Sequence, residues 1–396
     1  MITNSRAHQE QPMRTRALTA IAATLVLGLA AGPLAVPAFA SPAGVTRSTT
    51  AGPDVNALAA ALTGLPDSDA TAALVRVGGA DGRWRGSAGV HDLASGSAAD
   101  PNGLFRAGST TKVVTAALVL QLAAEGRADL GRPVRDYLPD LIPAAYKKVT
   151  VRQLLNHTSG FPAADLPGDT FEEVYAHRFD LHTPQEMLAS ATAKEPEFTP
   201  GTQQHYLNIN YTVLGLLVER LTGHSYEQEA ARRIFEPLRM SNTYFPGTDP
   251  AINGPHNHGY QSVTHADGTT ELRDVTVWGV TDAWAAGDMI STTVDLERFL
   301  KALFRGQVVP QRQLKEMFTV PAGIPGATMS AGLERYVTGD GTELWLKTGG
   351  RWGYNTIIAA TRDLSRTLVY SVNSTDAKGQ GMNPVAERIV RATFTL

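Results

Sequence analysis

Phe105-Arg106-Ala107-Gly108-Ser109-Thr110-Thr111-Lys112-Val113-Val114-Thr115-Ala116-Ala117-Leu118-Val119-Leu120-Gln121-Leu122 reads as a tight turn running into an apolar helix. Ser109 and Lys112 stand three residues apart, so on a helix their side chains share a face. A serine hydroxyl is a poor nucleophile until a base stands beside it. Lysine serves as that base when burial or a neighbouring cation lowers its pKa, and the apolar run from Val113 onward supplies the burial. Gly108 provides the turn, and the unpaired N–H groups of the first helical turn carry the partial positive charge that an attacked carbonyl oxygen uses. Ser-x-x-Lys alone is a weak signal, because serine is also a common helix cap. The rest of the chain has to decide.

The chain has 396 residues, 43% of them hydrophobic, a net charge of -3 and no cysteine. That composition excludes disulfides, a lipid-modified cysteine, cysteine-ligated metals and a cysteine nucleophile. No basic stripe is present, which argues against nucleic acid as a partner. Residues 1–40 have the pattern of an export signal: Arg14 and Arg16, an uncharged apolar run from Ala17 to Leu29, and the small-residue site Ala38-Phe39-Ala40 before Ser41. Met13, just ahead of the basic pair, is a second candidate start. No later apolar stretch has the length of a membrane span, so the expectation is a secreted protein with no membrane contact once the signal is cleaved.

Residues 41–53, rich in Ser, Thr, Gly and Pro, read as a flexible lead-in to one domain over 54–396. The spacing predicts a helix over Asp54–Leu65 and a hairpin from Thr71–Val77 and Arg83–Val90. Helical spacing dominates the middle, over Val149–Ser159, Thr183–Ala193, Asn208–Thr222 and Ser225–Phe235. Strand patterns return at Gly332–Val337, Glu343–Lys347, Asn355–Ala360 and Thr367–Asn373, with Gly339-Asp340-Gly341 as a hairpin turn. Met382–Phe394 closes the chain as a helix. This order predicts an α/β (α+β) fold: one antiparallel sheet flanked by helices and assembled from both chain ends, about 54–125 and 285–396. An all-helical region, about 126–284, is inserted between them. A cleft between the two parts is the natural site.

Two further short stretches bear on that cleft. Tyr206-Leu207-Asn208 ends a loop before a helix, where a phenol and an amide can point together. Lys347-Thr348-Gly349-Gly350 ends a strand, where glycines let a ligand backbone approach. Each alone has an ordinary structural reading. In the order Ser-x-x-Lys, Tyr-x-Asn, Lys-Thr-Gly they resemble the penicillin-recognising serine hydrolases, the group of class C β-lactamases and low-molecular-weight DD-peptidases with its esterase and D-aminopeptidase branches. Tyr137-Leu138-Pro139, Val151 to Gly160, Pro200-Gly201, and Ala285-Ala286-Gly287 before Ser291-Thr292 add to the likeness. It runs from about Asp54 to the C-terminus.

The resemblance implies a β-lactamase/transpeptidase-like fold and an acyl-enzyme on Ser109, with Lys112, Tyr206 or both moving the proton. It implies an oxyanion hole from the N–H groups of Ser109 and Gly350, an orienting role for Asn208, and an electrostatic role for Lys347. Thr348 and Gly349 complete the substrate-binding strand. In the family His157-Thr158-Ser159-Gly160 is a structural turn, and no cofactor or metal is required. The implied activity is that of a D-alanyl-D-alanine carboxypeptidase acting on a small peptide such as a cell-wall peptide. Alternatives are a β-lactamase, a D-aminopeptidase or esterase, and an inactive penicillin-binding scaffold.

Two departures stand out. Leu207 replaces the usual Ser or Ala of Tyr-x-Asn. The arginine with which many such carboxypeptidases grip a terminal carboxylate falls on Glu334 or Arg335, of which only one can face the cleft, because side chains alternate along a strand. Arg335 inward favours a free carboxylate; Glu334 inward favours an N-terminal amine or a neutral ester. Trp278 and Trp284 are candidates for the cleft wall or the core. His256 and His258, in a Gly/Pro/Asn-rich loop without a carboxylate pair, are poor candidates for a metal site.

Overall fold

The computed structural model describes residues 52–265 and 267–394. The export signal over 1–40 and most of the lead-in over 41–53 lie outside the described residues. The chain starts with α1 (Val55–Ala61), capped by the Asp54 side chain, which accepts a hydrogen bond from the Ala57 N–H at 2.9 Å. β1 (Ala70–Gly78) and β2 (Trp84–Gly89) form the predicted hairpin. After the two-residue β3 (Phe105–Arg106), a single 3₁₀ turn over Gly108–Thr110 leads into α2 (Thr111–Ala124). Ser109 therefore sits on the turn ahead of the α-helix.

The middle of the chain supplies α3 (Val151–Leu155), α4 (Phe171–Ala176), α5 (Pro184–Thr192), α6 (Asn208–Thr222) and α7 (Tyr226–Ala230), the last continued by a π-helical turn over Ala231–Phe235. α3 is shorter than its predicted span, because His157 takes a left-handed φ of 60° and ends the helix in a turn. The region expected to be all-helical also contains a hairpin, β4 (Tyr260–Thr264) with β5 (Thr270–Asp274), which docks on the main sheet where the Ser262 N–H meets the Thr375 carbonyl at 2.6 Å. This corrects the sequence reading. The Thr-rich strand ends and the Gly268 turn carried the signal.

The chain then returns to the sheet through β6 (Ile290–Ser291), paired with β3, and α8 (Thr293–Phe304), which the sequence reading did not include. α8 forms because the Thr292 side chain caps it and Leu296, Phe299, Leu300 and Leu303 make one apolar stripe, all of them fully buried. After the short α9 (Gln311–Leu314) come β7 (Glu334–Val337), β8 (Glu343–Arg351), β9 (Tyr354–Thr361), β10 (Thr367–Ser374) and α10 (Pro384–Phe394). The six-stranded sheet has the order β2-β1-β10-β9-β8-β7, so its centre joins the two ends of the chain. All its pairings are antiparallel.

α1 and α10 cover one face of the sheet with Leu58, Val385 and Ile389. The other face carries α8, and beyond it α2 and the inserted helices form the larger core. α2 is apolar all round and buried from Val113 to Leu120, as a central helix must be. β8 runs four residues past its predicted end. β7 covers it only as far as Leu346, so the edge from Lys347 to Arg351 has no strand partner on that side and opens toward α2. Among the described residues, no helix is long and apolar enough to cross a membrane. Phe299→Ala, which empties a fully buried site between α8 and the sheet, is expected to cost about 3–5 kcal/mol of unfolding free energy in urea titration.

Candidate active site

The turn before α2 packs directly against the free edge of β8. Gly108 adopts φ 53°, and a Cβ there would lie 2.7 Å from the Gly350 nitrogen. A Cβ on Gly349 would lie 2.1 Å from the Ala107 carbonyl oxygen. Only glycine fits either place, and the Thr356 hydroxyl ties the contact by donating to the Ala107 carbonyl at 2.8 Å. The Gly350 amide is thereby brought against the Ser109 turn, as a paired oxyanion donor requires.

Lys112 is fully buried, and its Nζ makes three contacts: Ala286 carbonyl at 2.7 Å, Asn208 Oδ1 at 2.8 Å and Ser109 Oγ at 3.1 Å. The first two partners only accept. A neutral amine spends its two N–H bonds on them and turns its lone pair toward the Ser109 hydroxyl. Burial lowers the Lys112 pKa to about 8, with the Tyr206 phenol pulling upward and Lys347 adding to the fall.

Tyr206 comes from the loop ahead of α6 and lies close to two cations, with Lys112 Nζ 4.9 Å and Lys347 Nζ 4.7 Å from its ring centre. Its hydroxyl is enclosed and makes no well-formed hydrogen bond, though Lys112 and Ser109 lie close enough to act on it. Burial alone would raise this phenol, but Lys112 and Lys347 outweigh it and bring the pKa down to about 7. An enclosed polar group that is not fully bonded costs free energy, and Tyr206 lines the space a substrate would fill. Lys347, itself buried, donates to the Thr348 carbonyl at 2.9 Å.

The His157 turn supports this loop. The Leu207 N–H points at His157 Nδ1 from 3.4 Å and the Asn210 amide from 3.2 Å, so that nitrogen accepts and the ring proton sits on Nε2. Burial and the nearby lysines hold this imidazole well below the ordinary histidine range, hence neutral. Its ring lies 4.6 Å from that of Tyr206. The family resemblance implies a structural turn here; the contact with the Tyr206 ring adds a positioning role.

Ser109, Lys112, Tyr206, Asn208, Lys347, Thr348, Gly349 and Gly350 all line one cleft of about 700 Å³. Glu334 lines it too, with Oε1 accepting from the Thr328 hydroxyl at 3.0 Å. Arg335 does not: it turns to the outer face and pairs with Glu343 at 2.5 Å, so a carboxylate grip by Arg335 is not what this strand provides. Sequence reasoning missed Lys378, whose Nζ donates to the Gly350 carbonyl at 3.0 Å, and Arg351, ion-paired with Asp282 at 2.9 Å.

Trp278 is buried in an aromatic cluster with Phe171 and Trp352, and Trp284 packs against Gly215 of α6; neither lines the cleft. His256 bonds the Gly254 carbonyl and His258 bonds Asp274, both at 2.7 Å. Among the described residues, no group of three or more His, Cys, Asp or Glu is arranged to hold a metal ion.

Lys112 and Tyr206 titrate as a coupled set, and either accepts the Ser109 proton only in its deprotonated form. Activity should therefore fall as pH drops through a range of about 7 to about 8, with kcat/KM against pH showing that acid limb. Gly349→Ala pushes the β8 edge off the nucleophile turn and should lower kcat by about 10²–10³, the worth of one oxyanion donor, as measured by steady-state kinetics.

A model of the β-lactamase family matches residues 58–391. The D-stereospecific amidohydrolase from a Streptomyces species superposes with a TM-score of 0.75 at 32% identity, over 86% of this chain and 99% of that one. The D-amino acid amidase from Ochrobactrum anthropi SV3, solved with L-phenylalanine amide, gives a TM-score of 0.70 at 26% identity, over 85% and 97%. The unguisins hydrolase ungD of Aspergillus violaceofuscus is 29% identical over 230 residues, 56% of this chain and 40% of that protein. The chain spans only 40% to 53% of the length of these first curated relatives. The family match covers nearly the whole described chain and agrees with a serine, a lysine and a phenol drawn to one strand edge: the chain belongs to the β-lactamase family of serine hydrolases.

Proposed function

We propose that this protein hydrolyses amides or esters of D-amino acyl groups whose leaving group carries no carboxylate. Ser109 Oγ bonds to the carbonyl carbon as its proton passes to Lys112 or Tyr206, and the oxyanion rests on the Ser109 and Gly350 N–H groups. The tetrahedral intermediate collapses, the bond to the leaving nitrogen or oxygen breaks, and that atom takes the proton back. Water then repeats the sequence on the acyl-enzyme and restores the serine.

With Tyr206 returning the proton, the leaving atom faces Tyr206 and the leaving group occupies the Lys347 end of the cleft. Glu334 pairs with Leu346, the residue before Lys347, and lines the cleft at that end. This placement of Glu334 is the observation that carries the reading. A carboxylate brought to within about 4 Å of Glu334 would meet a repulsion of up to about 4 kcal/mol at an effective dielectric constant of 20. Ammonia, an amine or an alcohol would meet none.

The D-configuration rests on the two structural relatives, whose names state D-stereospecific and D-amino acid amidase activity. The arginine with which many such carboxypeptidases grip a terminal carboxylate has no counterpart at Glu334, and Arg335 faces the other way. The cations that do line the cleft, Lys347, Arg351 and Lys378, are engaged with the Thr348 carbonyl, Asp282 and the Gly350 carbonyl. Export, followed by action outside the cell, is supported by Arg14, Arg16, the apolar run and Ala38-Phe39-Ala40.

The test compares a D-Ala-D-Ala peptide with its C-terminal amide. The amide should turn over at least about tenfold faster, a fraction of the full repulsion, and Glu334→Gln should narrow the gap. Equal rates, or preference for the free carboxylate, would overturn the reading.

A further inference from the structure

Behind the cleft, the segment Trp284–Met289 grips α2 along one side. The Ala286 carbonyl accepts from Lys112 Nζ at 2.7 Å, the Ala285 carbonyl from the Thr115 hydroxyl at 2.6 Å, and the Met289 N–H donates to the Thr111 hydroxyl at 3.2 Å. Two successive carbonyls aimed at side chains one helical turn apart require an unusual backbone path. That path starts at Trp284, which takes φ 34°. A bulky residue in the left-handed region is strained and persists only where its surroundings hold it.

Those surroundings are specific. The Trp284 indole N–H donates to Glu227 Oε1 on α7 at 2.8 Å. Its ring lies 5.3 Å from that of Tyr226, whose hydroxyl reaches the Thr115 hydroxyl at 2.8 Å. On α6, Gly215 leaves the space the turn needs, since a Cβ there would lie 2.6 Å from both the Trp284 ring and the Ala285 Cβ. The same turn carries Asp288, buried with one carboxyl oxygen unpartnered, whose pKa is pushed well up by burial and by Glu227. Neither Trp284 nor Glu227 lines the cleft.

We infer that Trp284 and Glu227 are positioning residues: the indole–carboxylate bond locks a strained turn whose Ala286 carbonyl fixes the orientation and proton affinity of Lys112. The inference rests on the acyl-enzyme chemistry proposed above. With the Ala286 acceptor in place, Lys112 has only its lone pair left for Ser109. If the turn relaxes, the amine is free to rotate and loses a bond that favours its charged form. The groups facing Lys112 are Tyr206, Tyr211, His157, Lys347 and, further off, Arg351; none of them lies on the Trp284 turn. Asp288, Tyr226 and Glu219 are the titratable neighbours of Glu227.

The test uses a p-nitrophenyl ester, whose turnover does not depend on a leaving-group carboxylate, so a failure of the Glu334 reading leaves the measurement intact. Glu227→Ala should lower kcat roughly 10- to 100-fold, the worth of one hydrogen bond to a charged group, with KM little changed. The acid limb of kcat/KM should move to lower pH, because Lys112 loses an acceptor of its ammonium. Glu227→Gln keeps an acceptor for the indole N–H and should restore both the rate and the limb. Trp284→Phe should match Glu227→Ala, and the double variant should be no worse than either single one. A wild-type rate and pH profile in Glu227→Ala would overturn the inference. So would a rate loss that glutamine does not rescue, or one that follows the melting temperature while the limb stays fixed.

Discussion

The site depends on the contact between the Ala107–Gly108 turn and the Gly349–Gly350 edge of β8. Two backbones approach more closely there than any side chain allows, and a hydroxyl from β9 holds them together. The contact sets where Ser109 sits relative to an amide N–H it does not itself own. It also explains why β8 continues past the end of β7. If β7 covered Lys347 to Arg351, the edge would be paired and neither the nucleophile turn nor a substrate could reach it.

Around that contact the protein places cations where they serve two purposes. Lys112 and Lys347 both lie close to one phenol, so the Coulomb energy that lowers the Tyr206 pKa also acts between the lysines and helps keep Lys112 low. A lone buried lysine would shed its proton still more readily, since Tyr206 is what holds the Lys112 value up, and a lone buried tyrosine would be too weak an acid to exchange protons near neutrality. Together they bring both groups into the range where proton transfer in either direction is fast. The His157 ring, neutral and tilted against Tyr206, adds no charge to this balance.

The parts of this arrangement encoded by short local patterns were legible in the sequence. α2 announced itself by a long apolar run, and Ser109, Lys112, Tyr206, Asn208 and Lys347 by residue type and order. α8 was legible in principle, since Thr292 caps a regular apolar stripe, yet it went unread beside the stronger strand signals that follow. The alternation at Glu334 and Arg335 was legible but its phase was not, because the phase depends on Arg335 finding Glu343 across the hairpin. The Trp284 turn was beyond reach: tryptophan argues against a left-handed φ, and what holds it there, Gly215 and Glu227, lies on two other helices.

Those long-range dependencies bear on when the site can exist. Ala107 meets Thr356 across 249 residues, Lys112 meets Asn208 across 96 and Ala286 across 174. The sheet closes only when β10, near the end of the chain, slots between β1 and β9. Non-local contacts of this kind form late in folding, because loop closure must precede the gain from packing. Residues 109–112 hold the serine, the lysine and one amide, but Tyr206, Asn208, Ala286 and Gly350 come from distant parts of the chain, so on the chemistry proposed above a partly folded chain presents an unactivated serine. Reactivity in this protein is a property of the completed tertiary structure, and the inserted helices, by separating the halves of the sheet in sequence, are what make it so.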